Sequence, residues 1–293
     1  MKTNKRFILI LIMAAFTLLL IFTAFVLFPG MSKQETSTTS FSTCINKGKM
    51  PLHDTTLMVN GRKVLIKICD NKKKGTFLML QGWNLPVEDW YTKTSICQKA
   101  ISQGYCIVLP DMGKSIYHEK VFPETRSDWK VYPTRKWLCD TLIPLLQKEY
   151  TLLLEDDTNY LVGLSTGARG VALMLLEFKN LFSAAAALSG DYNQLKMPAD
   201  NLMKGYYGTI DQYRERWTNT DNPITKIQEY QTPLYLGHGK LDKVVPAEQT
   251  RLFYDSLKKV HPKLKLKLHM PDAQHDYNYW ESETDSILNF FWN

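Results

Sequence analysis

Residues 160–177 read YLVGLSTGARGVALMLLE, and the fold turns on how this stretch is understood. Tyr160-Leu-Val is a short apolar run of the kind that forms a strand buried on both faces. Gly163-Leu-Ser165-Thr-Gly167 follows at once, and Ala168–Glu177 continues as an apolar, helix-favouring segment. A lone Ser before a helix is an ordinary cap. A Gly on each side, two residues away, is what a sharp strand-to-helix turn requires, because each removes a Cβ from a crowded crossing.

The same alternation extends in both directions. Upstream, Leu57-Met-Val and Lys63–Cys69 flank Asn60-Gly61, a pair that tolerates the positive φ angles of a tight hairpin turn. The lysine-rich 72–75 reads as a charged turn. Thr76–Gln81 and Cys106–Leu109 are continuous apolar strands, separated by a helix over 88–103 that ends at Gly104. The pattern predicts a further helix over 134–149, kinked at Pro144. Downstream come strands at Ala184–Leu188, Pro233–Gly237 and 263–269, with helices over 247–260 and 279–291. A hairpin followed by repeated strand–helix units implies a mostly parallel central sheet with helices on both faces. Sites in such α/β sheets lie at the carboxyl ends of the strands.

Composition bounds the rest. The 293 residues are 44% hydrophobic and 22% charged, which excludes a disordered chain or a coiled coil. Net charge is +7, but Lys2, Lys5 and Arg6 stand apart at the N-terminus. Without them, 33 basic residues face 29 acidic ones, interspersed, which argues against a nucleic-acid partner. Residues 7–28 are 22 consecutive residues without a charge, long enough as a helix to span a bilayer of ~30 Å. Positive charges precede them, Pro29-Gly30 ends them, and no small-residue cleavage site follows. The expectation is an uncleaved signal anchor. It would have residues 1–6 in the cytoplasm, 29–43 as a polar stalk, and 44–293 on the non-cytoplasmic face as a membrane-held domain. Secretion after cleavage is the alternative. Five Cys, an odd number, show no zinc-ligand spacing, and no metal or organic cofactor is expected. Cys106 sits in an apolar strand and reads as a buried thiol. Gly113-Lys-Ser115 echoes the end of a phosphate-binding loop, but position 108 is Val where that motif requires Gly.

A serine hydroxyl needs a base to act as a nucleophile near neutral pH. Of the six His, His275 stands on a loop beyond the last predicted strand, whereas His269 falls on the Lys side of that strand and reads as a surface residue. An imidazole base in turn needs a carboxylate to set its tautomer. Asp242 lies on the loop after the strand ending at Gly237, with His238 placed to shape the turn toward it. Asp191, after the preceding strand, is the competing acid.

These residues carry a resemblance. The order Ser165, Asp242, His275 is the nucleophile–acid–base order of the α/β-hydrolases, which the chain resembles over roughly 57–291. HGKLDKVVP, residues 238–246, resembles the H-G-x-x-D-x-x-V-P stretch of dienelactone-hydrolase-like and prolyl-oligopeptidase-like enzymes. LIPLLQKEY and Gly205-Tyr-Tyr-Gly resemble esterase D-like esterases. One departure is Gln81-Gly82-Trp83-Asn84, where those families carry His-Gly. The resemblance implies a serine hydrolase of carboxylic esters acting on a small ester or acyl substrate. Its oxyanion hole would be built from the backbone N–H groups of Trp83 and Thr166. A peptidase or acyltransferase on the same triad, or a non-catalytic binding module, are the alternatives. Two insertions, 112–134 and 190–231, follow strand ends. Tyr192, Tyr206, Tyr207, Tyr213 and Trp217 in the second either wall a pocket or pack the insertion onto the body.

Overall fold

The computed structural model describes residues 54–69 and 72–293. The expected anchor and stalk, and Cys44, lie outside the described residues. Among the described residues no helix is long and apolar enough to cross a membrane.

Among the described residues eight strands form one sheet. They are β1 (Thr55–Val59), β2 (Arg62–Lys67), β3 (Gly75–Leu80), β4 (Tyr105–Pro110), β5 (Tyr160–Leu164), β6 (Ala184–Leu188), β7 (Leu234–Gly237) and β8 (Leu266–His269). Their spatial order is β1-β2-β4-β3-β5-β6-β7-β8. β1 pairs with β2 and β2 with β4 antiparallel, and every other pairing is parallel. The β1–β2 hairpin turns on Asn60 (φ 50°) and Gly61 (φ 73°), the two positive φ angles that Asn-Gly was expected to supply.

Side chains alternate across the inner strands, so successive residues feed opposite faces. Leu78, Leu80, Cys106, Val108, Leu161 and Ala185 point into one apolar layer, while Phe77, Met79, Ile107, Tyr160, Val162 and Ala184 point into the other. β3, β4, β5 and β6 are buried along their whole length, whereas β8 at the sheet edge alternates between half-buried and exposed.

The helices depart from the expected segments where distant groups intervene. The 88–103 helix is two: α1 (Asp89–Thr92) and α2 (Ile96–Ser102). Between them the Ser95 N–H and hydroxyl bind the Glu281 carboxylate at 2.8 and 2.7 Å, a partner 186 residues away. The 134–149 helix runs as α3 (Arg135–Trp137), a π-helical turn at Leu138–Leu142, and α4 (Ile143–Tyr150). Pro144 has no N–H to donate and crowds the carbonyl one turn back; the widened π turn absorbs the defect where a kink was expected. α5 is Thr166–Glu177, α6 Asn201–Tyr207 and α7 Glu248–Val260. The C-terminal helix is also divided, into α8 (Tyr277–Ser282) and α9 (Thr284–Trp292). At the junction the buried carboxylate of Glu283 takes the Tyr235 hydroxyl at 2.6 Å and His269 Nδ1 at 2.8 Å.

The two insertions meet over the carboxyl end of the sheet. Ile116 and Trp129 of the first pack with Met203, Tyr206, Tyr207 and Trp217 of the second.

Candidate active site

Ser165 stands at the end of β5 with φ 55° and ψ −125°, a conformation costly for any residue with a Cβ and held here by its surroundings. Both flanking glycines have a steric reason. A Cβ at Gly163 would lie 2.3 Å from the Gly167 carbonyl oxygen, and one at Gly167 would lie 2.2 Å from that of Leu80. The turn closes only because neither Cβ exists.

The structure brings the three residues singled out from the sequence together. His275 Nε2 lies 3.0 Å from Ser165 Oγ, and His275 Nδ1 lies 2.6 Å from Asp242 Oδ2. Asp242 is held on both oxygens: Oδ1 accepts the N–H groups of Val244 and Val245 at 2.8 and 2.9 Å, and Oδ2 also faces His238 Nε2 at 3.1 Å. His238 is fully buried. Its Nε2 faces two acceptors, Asp242 Oδ2 and the Val245 carbonyl, so this nitrogen carries the proton, and Nδ1 accepts from the Thr250 hydroxyl at 2.6 Å. Burial works against the Asp242 charge. The hydrogen bonds from His238, His275 and the Val245 N–H outweigh it and hold the carboxyl well below the usual carboxylate range. Trp280 meets the His275 ring edge-on, with centroids 5.2 Å apart.

Thr166 opens α5, so its N–H has no carbonyl one turn back to bond. The Trp83 N–H, outside any strand or helix, is donated to no acceptor among the described residues.

Asp191 does not reach His275. It forms a buried ion pair with Arg169, Oδ2 to Nη1 at 2.8 Å. Burial raises the Asp191 carboxyl pKa, and Arg169 pulls against that rise. Arg169 stands four residues after Ser165, is fully buried, and also donates to Gln194 Oε1 and to the Asp221 carbonyl. Asp221 in turn takes Arg135 at 2.8 Å and the Tyr207 hydroxyl at 3.0 Å. This network was missed in the sequence. Its one visible signal is Arg169 itself, a charge inside an otherwise apolar helix.

Of the second insertion's aromatics, Tyr192 packs on Phe253 in the main core, Tyr206, Tyr207 and Trp217 pack against the first insertion, and half-buried Tyr213 lies against Arg216. Tyr192, Tyr206, Tyr207 and Trp217 have no exposed surface, and they are not among the residues that line the cavity over Ser165. That cavity, of about 450 Å³, is bounded by Trp83 and Leu85 after β3, by Asp191, Met197, Leu202 and Met203 from the insertion, and by Val244, Val245, Tyr277 and Trp280.

Cys106 is a buried thiol, as its apolar strand implied. Burial pushes it up to about 12, far from the thiolate a nucleophile needs. Among the described residues no group of His, Cys, Asp and Glu could hold a metal ion. Gly113-Lys-Ser115 is bound into the loop: the Lys114 carbonyl accepts the Tyr206 hydroxyl, and the Ser115 hydroxyl donates to the Pro133 carbonyl at 2.7 Å.

An eight-stranded, mostly parallel sheet with helices on both faces and a strained serine at the end of its fifth strand defines an α/β-hydrolase, and the molecule is a serine hydrolase. Within that class the chain belongs to the prolyl oligopeptidase family, whose model matches residues 92–293. Solved structures show the same fold at low identity. The fluorophosphonate-binding serine hydrolase FphF of Staphylococcus aureus is 15% identical, with a TM-score of 0.63 over 82% of this chain and 100% of that one. The S-formylglutathione hydrolase FrmB of Staphylococcus aureus is 16% identical, with a TM-score of 0.64 over 83% and 99%. An acylaminoacyl peptidase is 14% identical, with a TM-score of 0.62 over 82% of this chain and only 41% of its own. No curated protein matches the chain.

Proposed function

We propose that the protein hydrolyses carboxylic esters through a Ser165–His275–Asp242 triad and an acyl-enzyme. The observation that carries this reading is the unbroken relay Ser165 Oγ, His275, Asp242, at 3.0 and 2.6 Å. Ser165 Oγ adds to the ester carbonyl carbon as its proton passes to His275 Nε2. The negative charge that develops on the carbonyl oxygen is met by the N–H groups of Trp83 and Thr166, both free to donate. Collapse expels the alcohol, which takes the proton from His275. Water then repeats the sequence and releases the acid. Asp242 keeps the proton of neutral His275 on Nδ1 and stabilises the ring when it is charged.

Ser165→Ala should abolish turnover of p-nitrophenyl acetate and labelling by a fluorophosphonate probe while leaving the circular dichroism unchanged. Turnover at the wild-type level would refute the assignment. Wild-type protein that is folded but neither turns over esters nor labels would favour a binding module.

The family description and the acylaminoacyl peptidase neighbour favour a second reading, in which the same acyl-enzyme is formed from an amide. Matched ester, anilide and acyl-transfer assays on one sample separate the readings, because only leaving group and acceptor differ among them.

The domain is further proposed to be held on the non-cytoplasmic face of a membrane by residues 7–28. The length and apolarity of that run and the charges before it support this. Fractionation with N-terminal sequencing tests it. A soluble extracellular product beginning near residue 30 would mean cleavage, and a cytosolic one would overturn the topology.

A further inference from the structure

Met197, Leu202 and Met203 give the cavity an apolar stretch of lining, and carboxylates stand beside it. One of these, Asp191, is 4% exposed and paired with the fully buried Arg169. Stability does not explain such a pair. Taking two charges out of water costs about as much as their attraction returns, and apolar residues of similar size commonly serve as well. What the pair does is set a hydrogen-bond acceptor into a greasy wall beside the reacting serine. Arg169 engages Oδ2 alone, which leaves Oδ1 as the acceptor available to a ligand. Arg169 is itself fixed by Gln194 and the Asp221 carbonyl, so the carboxylate cannot swing away. Asp200, on the same wall, has Oδ1 committed to the Met203 N–H at 2.8 Å, where it caps α6.

Resting on the ester-hydrolase reading, we infer that Asp191, held by Arg169, is a specificity-determining residue, and that the substrate is a hydroxylated ester whose hydroxyl donates to Asp191 while its carbon chain fills the apolar wall. A neutral donor fits better than a cation, because Arg169 already balances the Asp191 charge. A plain alkyl group at this position would leave the carboxylate desolvated and unpaired on one oxygen, and sites built this way discriminate strongly against the analogue lacking the donor.

Two isosteric pairs test this in a pH-stat, one for each side of the ester. They are 3-hydroxybutyrate against 3-methylbutyrate p-nitrophenyl esters, and 2-hydroxyethyl against propyl butyrate. The hydroxylated member of at least one pair should have a kcat/KM higher by about tenfold or more. Asp191→Leu combined with Arg169→Met replaces the buried pair by apolar groups and leaves the substrate hydroxyl neither an acceptor nor a donor at this position. The ratio should then fall to one or below. Asp191→Ala removes the acceptor alone and should bring the ratio to the same place, so either variant that folds suffices. Ratios near one for both pairs in the wild type overturn the inference, as does a hydroxyl preference that survives either substitution. These outcomes differ from failure of the ester-hydrolase reading, in which neither member of any pair turns over and Ser165 takes no fluorophosphonate label.

Discussion

Asp242→Asn isolates what the buried carboxylate contributes. The orientation of the new amide is dictated by the backbone. Oδ1 accepts two N–H groups, from Val244 and Val245, so the amide oxygen must stay there and the NH₂ group must take the place of Oδ2. That group then faces His275 Nδ1 at 2.6 Å and His238 Nε2 at 3.1 Å. Two N–H donors cannot share so short a contact. His275 therefore moves its proton to Nε2 and presents a donor, where a base is required, to Ser165. A triad forced into this tautomer loses about four orders of magnitude in kcat, which at 1.36 kcal/mol per decade is about 5 kcal/mol of transition-state stabilisation. The two backbone hydrogen bonds survive, so the thermal midpoint should fall far less than activity does. The assay is p-nitrophenyl acetate turnover with Ser165→Ala as the baseline, alongside a thermal melt. A loss smaller than tenfold in a folded variant would show that Asp242 does not set the His275 tautomer.

Other consequences follow from the same geometry. Gly167→Ala improves helix propensity by ~1 kcal/mol but drives a Cβ to 2.2 Å from the Leu80 carbonyl oxygen, so the clash wins; urea unfolding should show a net loss of about 3 kcal/mol or more. Burial, with Arg135 and Arg169 adding to it against Asp221, lowers the pKa of His118 from 6.5 to about 4. The unfolded chain thus binds this proton first, and stability present above pH 6.5 is lost as pH falls toward 4, by about 3 kcal/mol; His118→Leu should flatten denaturation midpoints over that window, and an unchanged slope would exclude His118 as the cause. Arg169→Met leaves the buried Asp191 carboxyl without its partner, and chemical denaturation should show a cost of about 3–5 kcal/mol.

The sequence alone determined the strands and the mostly parallel character of the sheet, the turn at Ser165 and the candidate residues His275 and Asp242, but not the strand order. What it determined is local. Apolar runs, glycines that remove a Cβ, and a residue's position just after a strand are all written within a few neighbouring letters. The parallel strands were legible because burial on both faces leaves no polar alternation, and the hairpin because Asn60-Gly61 tolerates positive φ. Other features depended on partners far along the chain. That Asp191, the competing acid, is engaged by Arg169 and not by His275 is visible only in three dimensions. The break between α1 and α2 sits where Glu281 binds Ser95, and the division of the last helix falls at Glu283, buried against Tyr235 and His269. The insertion's aromatics could have faced a ligand or packed inward, since composition is the same for both; only their packing with Trp129 and Ile116 of the other insertion buried Tyr206, Tyr207 and Trp217. Such outcomes depend on distances through space between residues remote in sequence, and no local pattern encodes them.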